Sequence, residues 1–200
     1  MEPLNDLIKK AHKTLNENRN AKYEITDEVH PRNRKLRRIR ALRDIRAHKV
    51  RAGDLGGYIE SEMNLDQSGD AWVSDEARVS GKASVYGKAS VSERAQVYGK
   101  ASVFGKARVR GTASVSEEAR VFEDAWVYGN AYVSDDAWVH GNAHVHGNAR
   151  VYGNASVYGE ARVFEDAWVY GNASVFERAQ VSGKAVIDGN QEVSGAEQVS

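Results

Sequence analysis

The chain contains no cysteine and only two prolines, Pro3 and Pro31. Without thiols, disulfides and thiolate metal centres are excluded, which suits a reducing compartment such as the cytoplasm. No apolar run approaches the ~18 residues of a membrane-spanning helix, and the N-terminus lacks the apolar core of a secretion signal, so no membrane contact is expected. Only four phenylalanines are present, and the 41% of hydrophobic residues are mostly alanine and valine. A core built from such small side chains has to be narrow, because they cannot fill a wide interior at native density. A net charge is also missing, but only as a sum. Residues 1–64 hold 15 Lys/Arg against 10 Asp/Glu, and the remainder hold 13 against 18. Both prolines fall in the first part, so a boundary in composition lies near residues 53–64.

What the sequence has in abundance is one phrase of six residues. From Ala71 to Asn190 there are twenty consecutive hexads without an insertion. Position one is alanine in all twenty; position three is valine in nineteen and Ile187 in the other. A short fixed period predicts a solenoid, each unit stable only when stacked on its neighbours. Alanine and valine stand two residues apart, so in an extended strand both point to one face, while positions two and four point to the other. Positions five and six are Gly, Asn, Asp, Glu, Lys or Arg, with Thr112 the single exception. Gly, Asn and Asp tolerate the positive φ of tight corners. A helix is excluded by the period and by the recurring glycine. Hairpins would need longer strands.

The pattern Val151-Tyr152-Gly153-Asn154-Ala155-Ser156 resembles the hexapeptide repeat of left-handed parallel β-helices. That resemblance covers residues 71–190 and implies a mostly-β, triangular prism of three hexads, or 18 residues, per coil, with the small aliphatic residues inward. One departure is that glycine here lies two residues after the aliphatic position, whereas the family often places it directly after. About eight coils would make a rod ~38 Å long. Counting hexads backwards from Ala71 puts Leu65 and Ile59 in the alanine column and Leu55 in the valine column, which makes residues 53–70 a degenerate capping coil. At the other end Gln191 and Glu197 replace alanine, so residues 191–200 read as a C-terminal cap.

Residues 1–52 read as a small basic α+β head. Leu4, Leu7, Ile8, Ala11 and Leu15 fall at helical spacing over residues 4–18, and Lys22–Thr26 alternates like a strand. Residues 32–51 carry ten Arg/Lys and one acid, Asp44. Arg37, Arg38, Arg40 and Arg43 are therefore candidates for an anionic partner, nucleic acid included. The simpler reading is an Arg-rich strand pair whose aliphatic stems cover apolar surface, since no aromatic residue interleaves the basic ones. The stretch RIRALRDIRAHKVRAGDLGGYIESEMNL, Arg38 to Leu65, resembles the N-terminal module of hexapeptide-repeat proteins common in phages and prophages. Arg38–Leu42 and Gly53–Ser61 carry that likeness, which implies a phage or prophage origin in a bacterial host but no activity.

Hexapeptide-repeat proteins also include acyltransferases that use acyl-CoA or acyl carrier protein and a histidine base, which makes His140, His144 and His146 candidate catalytic residues. General-base chemistry suits histidine. No loop interrupts the hexads to enclose a substrate, so the expectation leans away from an enzyme, the alternative being an acyltransferase whose site forms only between subunits, and no cofactor is implied. Sorting outward residues by 18 stacks Trp126 and Arg162 on His144, and Tyr128 and Phe164 on His146, a poor set for a metal. Glu117, Glu118, Asp135 and Asp136 stack at one corner, where four carboxylates repel unless water or a hard cation such as calcium screens them; a solvated corner is the simpler alternative. The same sorting yields one column of rings, Tyr86, Phe104, Phe122, His140, Tyr158 and Phe176. Stacked rings stabilise neighbouring strands, and an exposed aromatic stripe ~25 Å long also has the character of an interface. The expectation is a structural or interaction protein that docks a protein partner or self-associates, with a trimer favoured by the resemblance.

Overall fold

A computed structural model describes residues 21–200. The helix expected over residues 4–18 lies outside that range. Among the described residues no helix is long and apolar enough to cross a membrane.

The head is built on an antiparallel pair, β1 (Tyr23–His30) and β2 (Asn33–Ala41), joined through Pro31 and Arg32. Alternation creates it: Tyr23, Leu36, Ile39 and Ala41 are buried, while Glu24, Arg37 and Arg40 face water. β2 then pairs antiparallel with β3 (Leu55–Ile59), and β3 runs parallel to the two-residue strand Arg78–Val79 of the rod. The head sheet thus continues directly into one face of the solenoid, giving ten strands there and eight and seven on the other two faces. One hydrophobic cluster runs through both parts, from Tyr23, Ile39 and Ile45 to the alanine and valine columns.

The rod is a parallel β-helix. Two-residue strands recur every six residues from Trp72–Val73 to Gln198–Val199, and each pairs in parallel with the strand 18 residues before or after, as Ser114 does with Gln96 and Tyr132. The first face starts at Arg78–Val79, the second at Trp72–Val73 and the third at Ser84–Val85. The hexad explains this geometry through its donors. The N–H groups at positions two, four and six cross to the next coil, as in Ser114, Ser116 and Glu118 donating to the carbonyls of Ala131, Val133 and Asp135 at 2.9, 3.0 and 2.9 Å. The N–H at position one turns back across its own corner, Ala119 to the Ser116 carbonyl at 3.2 Å. From Ala71 to Ile187 the columns at positions one and three are buried throughout.

Position five holds the corner at positive φ. Glycines from Gly87 to Gly171 sit at 70–77°, and acids at the same position sit at 55–61°. In five of these seven acids the carboxylate accepts the next coil's N–H at the same position, which offsets the strain. Asp75 accepts from Glu93 at 2.9 Å, Glu123 from Gly141 at 2.7 Å, Asp135 from Gly153 at 3.0 Å, Glu165 from Gly183 at 2.7 Å and Glu177 from Gly195 at 2.7 Å. Position six adds side-chain ladders, Asn154 to Asn172 to Asn190 at 3.1 and 3.0 Å.

The first coil differs from the backward count. Ile59 pairs with Val79 and Leu65 with Val85, so both belong to the valine column, two residues out of phase with the hexads. Leu55 pairs with Arg40 in the head and is 50% exposed rather than inward. Two local features cause the shift. A Cβ on Gly56 would stand 2.6 Å from Ile39 Cγ1 and one on Gly57 2.6 Å from the Ala77 carbonyl oxygen, so only glycine lets β3 lie this close to the head and the rod. Asn64, fully buried, then substitutes for strand backbone: its amide donates to the carbonyls of Gly81 and Ala83 at 3.1 and 2.8 Å, and its Oδ1 accepts from the N–H groups of Glu60 and Ser61.

Candidate functional site: a ladder of stacked rings

Position four of the third face carries Tyr86, Phe104, Phe122, His140, Tyr158 and Phe176, one ring per coil. Successive centroids are 4.8, 4.9, 4.6, 5.1 and 5.1 Å apart and the planes lie within 5° of parallel. Strand spacing sets the separation, and identical backbone conformations set the common tilt, so stacking follows from the repeat itself. Tyr86 at the head end is 39% exposed, and the remaining rings are half-buried against one another. Beside the ladder, position two of the same face is low relief: Ser84, Ser102, Ser156 and Ser174. Its middle is raised by Arg120 and Trp138, the guanidinium 5.3 Å from the indole centroid and the indole edge-on to Phe122 at 6.0 Å.

Ring ladders occur on the other faces too, but they are shorter. Tyr128, His146 and Phe164 stack at 4.6 and 5.2 Å on the second face, and Tyr152 stacks on Tyr170 at 4.9 Å on the first. Stacking is therefore a general device of this rod, and the third face differs in its unbroken length.

The histidines are members of these ladders. His140 lies between Phe122 and Tyr158 with Nδ1 3.5 Å from the Glu123 carboxylate. His144 stacks on Trp126 at 5.6 Å, and both it and His146 are half-buried. Burial first, and then the Arg162 guanidinium, lowers the pKa of His144; burial and then His144 lower that of His146. His144 and His146 share a face with each other but not with His140.

Two of the four acids of the stacked corner have partners of their own. Glu118 receives Lys100 Nζ at 2.6 Å, a hydrogen bond and ion pair that lower its pKa, and Asp135 accepts the Gly153 N–H. Glu117 and Asp136 face solvent. Among the described residues no three His, Asp or Glu side chains converge as metal ligands.

The basic candidates of the head diverge. Arg38 is committed inside the molecule: its guanidinium meets Glu28 and Glu76 at 2.8 Å each, covers the Tyr58 ring at 4.5 Å and donates to the Gly56 carbonyl. Arg40 pairs with Glu24 at 3.3 Å, and Arg43 donates to the Gly69 carbonyl at 3.1 Å. Arg37 is exposed.

Sequence reasoning missed the place where the head leans on the second face. There the turn Arg46–His48 and Lys49 meet Arg108 and Arg110, some sixty residues away in sequence. The one signal available was that Arg108 and Arg110 are two outward arginines on a single hexad; their neighbour from the head could not be known without the fold.

A family model described as YdcK Beta solenoid repeat matches residues 125–141, a little less than one coil in the body of the rod that includes Trp138 and His140. None of the curated proteins matches the chain.

Proposed function

We propose that this β-solenoid is a non-catalytic interaction rod, of the phage or prophage type that its N-terminal module resembles, and that the third face docks copies of the same chain into a trimer. The observation that supports this reading is the six-ring ladder. It runs without a break along the rod at one ring per coil, and the column beside it is low serine at both ends with Arg120 and Trp138 projecting in the middle. Two copies share the same repeat along the axis, so their ladders stay in register over the whole length of contact. Interfaces of this kind are enriched in aromatic residues at their centre. The exposed Trp138 and its Arg120 partner, mid-face, match the residue types that dominate binding energy at such centres. Trimers side by side are what the resemblance to hexapeptide-repeat β-helices implies for prism-shaped subunits.

The test is mass in solution. Sedimentation or light scattering of the wild-type chain should give a trimer. Replacing Phe104, Phe122 and Phe176 together with serine should give monomers whose far-ultraviolet circular dichroism is unchanged, because the inward columns are untouched and serine already fills the same outward position at Ser116 and Ser134. A wild-type monomer, or a triple variant that is still a trimer, would refute the self-association. In the first case the rings serve only to hold strands together.

A further inference from the structure

The junction of head and rod contains a pocket of about 310 Å³ on the second face. Its walls are cationic and hydroxylic. Arg108 and Arg110 project from one strand; the Arg108 guanidinium lies 4.6 Å from the Trp126 ring centroid, and that of Arg110 lies 5.3 Å from Trp126 and 5.2 Å from Tyr128. Stacking on the rings orients both forks; among the described residues neither is in an ion pair and no carboxylate lines the pocket, the Asp70 carboxylate acting on His48 from beyond its wall. Ser90 and Ser92 supply hydroxyls from the coil below. From the head comes Lys49, held at φ 58° in the left-handed region. Every other non-glycine residue at positive φ among the described residues is an acid at a rod corner. Lys49 is kept there by a closed turn, in which Ile45 and Val50 exchange hydrogen bonds of 2.9 and 3.2 Å and Lys49 donates to the Arg46 carbonyl at 3.2 Å. An uncommon backbone conformation that the surrounding turn enforces is a frequent mark of a binding position. His48 also lines the pocket.

We infer that this pocket binds the phosphate group of a small phosphorylated molecule, with Lys49, Arg108 and Arg110 as its cationic ligands and Ser90 and Ser92 as hydroxyl donors. Three cations without a carboxylate suit a dianion better than a single carboxylate, and planar guanidinium forks match tetrahedral oxyanions two bonds at a time. The volume accommodates the phosphate together with a sugar-sized remainder and is bounded by the head turn, which a long polyanion would have to cross.

The experiment is calorimetric titration of the full chain with inorganic phosphate and with a hexose phosphate, at constant ionic strength set by chloride. Saturable binding of both is expected, tighter for the phosphoester, and Arg108→Gln or Arg110→Gln should weaken each by ~10-fold or more through loss of charge-assisted hydrogen bonds. Glutamine occupies the Arg108 column already, at Gln180, and Arg110 is exposed, so these variants should keep the wild-type circular dichroism and melting curve without ligand. Lys49→Gly, which relieves the positive φ while removing the ammonium, should weaken binding without loss of stability. Absence of saturable binding, binding that survives both arginine substitutions, or tighter binding of a DNA duplex than of the phosphoester would each overturn the assignment.

Discussion

Replacing Ala131 with leucine puts the narrow core to a quantitative test. Ala131 is 1% exposed at position one of its hexad, with Ala113 and Ala149 at the equivalent place in the coils below and above, and the columns on all sides are alanine or valine at 0% exposure. Leucine adds three carbons. Were there room for them, their burial would stabilise the fold by ~2.4 kcal/mol, at ~0.8 kcal/mol per methylene. The prism offers none. The coils are tied at 2.9–3.0 Å by backbone hydrogen bonds on either side, so the added carbons can be admitted only by spreading a coil or twisting valines off their rotamers. Overpacking of that kind costs ~1–3 kcal/mol. In a chain of this length that lowers the melting temperature by ~2–4 °C per kcal/mol. Two controls separate packing from chemistry. Ser114→Leu places the same side chain outward and should change stability by less than ~0.5 kcal/mol. Ala185→Leu, at a position already 8% exposed in the last coil of its face, should cost less than Ala131→Leu. Melting followed by circular dichroism, with urea unfolding as a second measure, reads all three. An Ala131→Leu variant as stable as wild type, or more stable, would refute the closed, alanine-lined interior.

Two further substitutions probe the polar parts of the fold. Lys22 is buried, with Nζ donating to the Ala71 and Ser68 carbonyls at 2.8 and 3.3 Å, and burial above all lowers its pKa from 10.5 to about 8. Between those values the unfolded chain binds the proton that the folded chain has released, so stability should rise by roughly 1.5 kcal/mol from pH 8 to pH 9.5. The window closes near pH 10, where the unfolded chain begins to lose the Tyr23 proton that burial holds on in the fold; in Lys22→Met, urea unfolding at pH 8 and 9.5 should give equal stabilities. At the corner, Asp135→Ala keeps a Cβ at φ 57° but loses the bond to the Gly153 N–H and should cost ~1–2 kcal/mol, whereas Asp135→Gly should lie near neutral because relief of the backbone offsets the lost acceptor. Equal destabilisation by Ala and Gly in thermal melts would show that the hydrogen bond alone matters there.

The rod was legible in the sequence because each of its determinants is local. Alanine and valine two apart fix which way a strand faces, and a fixed interval of 18 fixes what lies above and below, so the ladder from Tyr86 to Phe176 could be named before any coordinates. The junction was illegible for the opposite reason. The two-residue phase shift at Ile59 and Leu65 depends on the Asn64 side chain standing in for backbone and on Gly56 fitting under Ile39 and Trp72, which are contacts between segments with no common period. At the corners, the stacking of Asp135 above Glu117 followed from the count, and suggested repulsion. What the count could not supply was the direction of the side chain, which at that corner turns an acid toward the amide of the next coil.

The uniformity of the inward columns leaves the core unable to tell one hexad from the next. If a segment slid by six residues, every alanine and every valine but Ile187 would find an equivalent seat, and the rod would be threaded a third of a turn out of place with its interior intact. Only outward residues oppose that slip. At the boundary of a slipped segment Phe122 would stand over Tyr98 or Arg110 instead of Phe104, a break between Asn154 and Asn172 would cost their hydrogen bond, and each face would meet a foreign column. Each lost stack is worth ~0.5–1.5 kcal/mol, so the surface ladders together supply the discrimination that the interior lacks. In this protein the surface carries the address of each coil, and the core only holds it there.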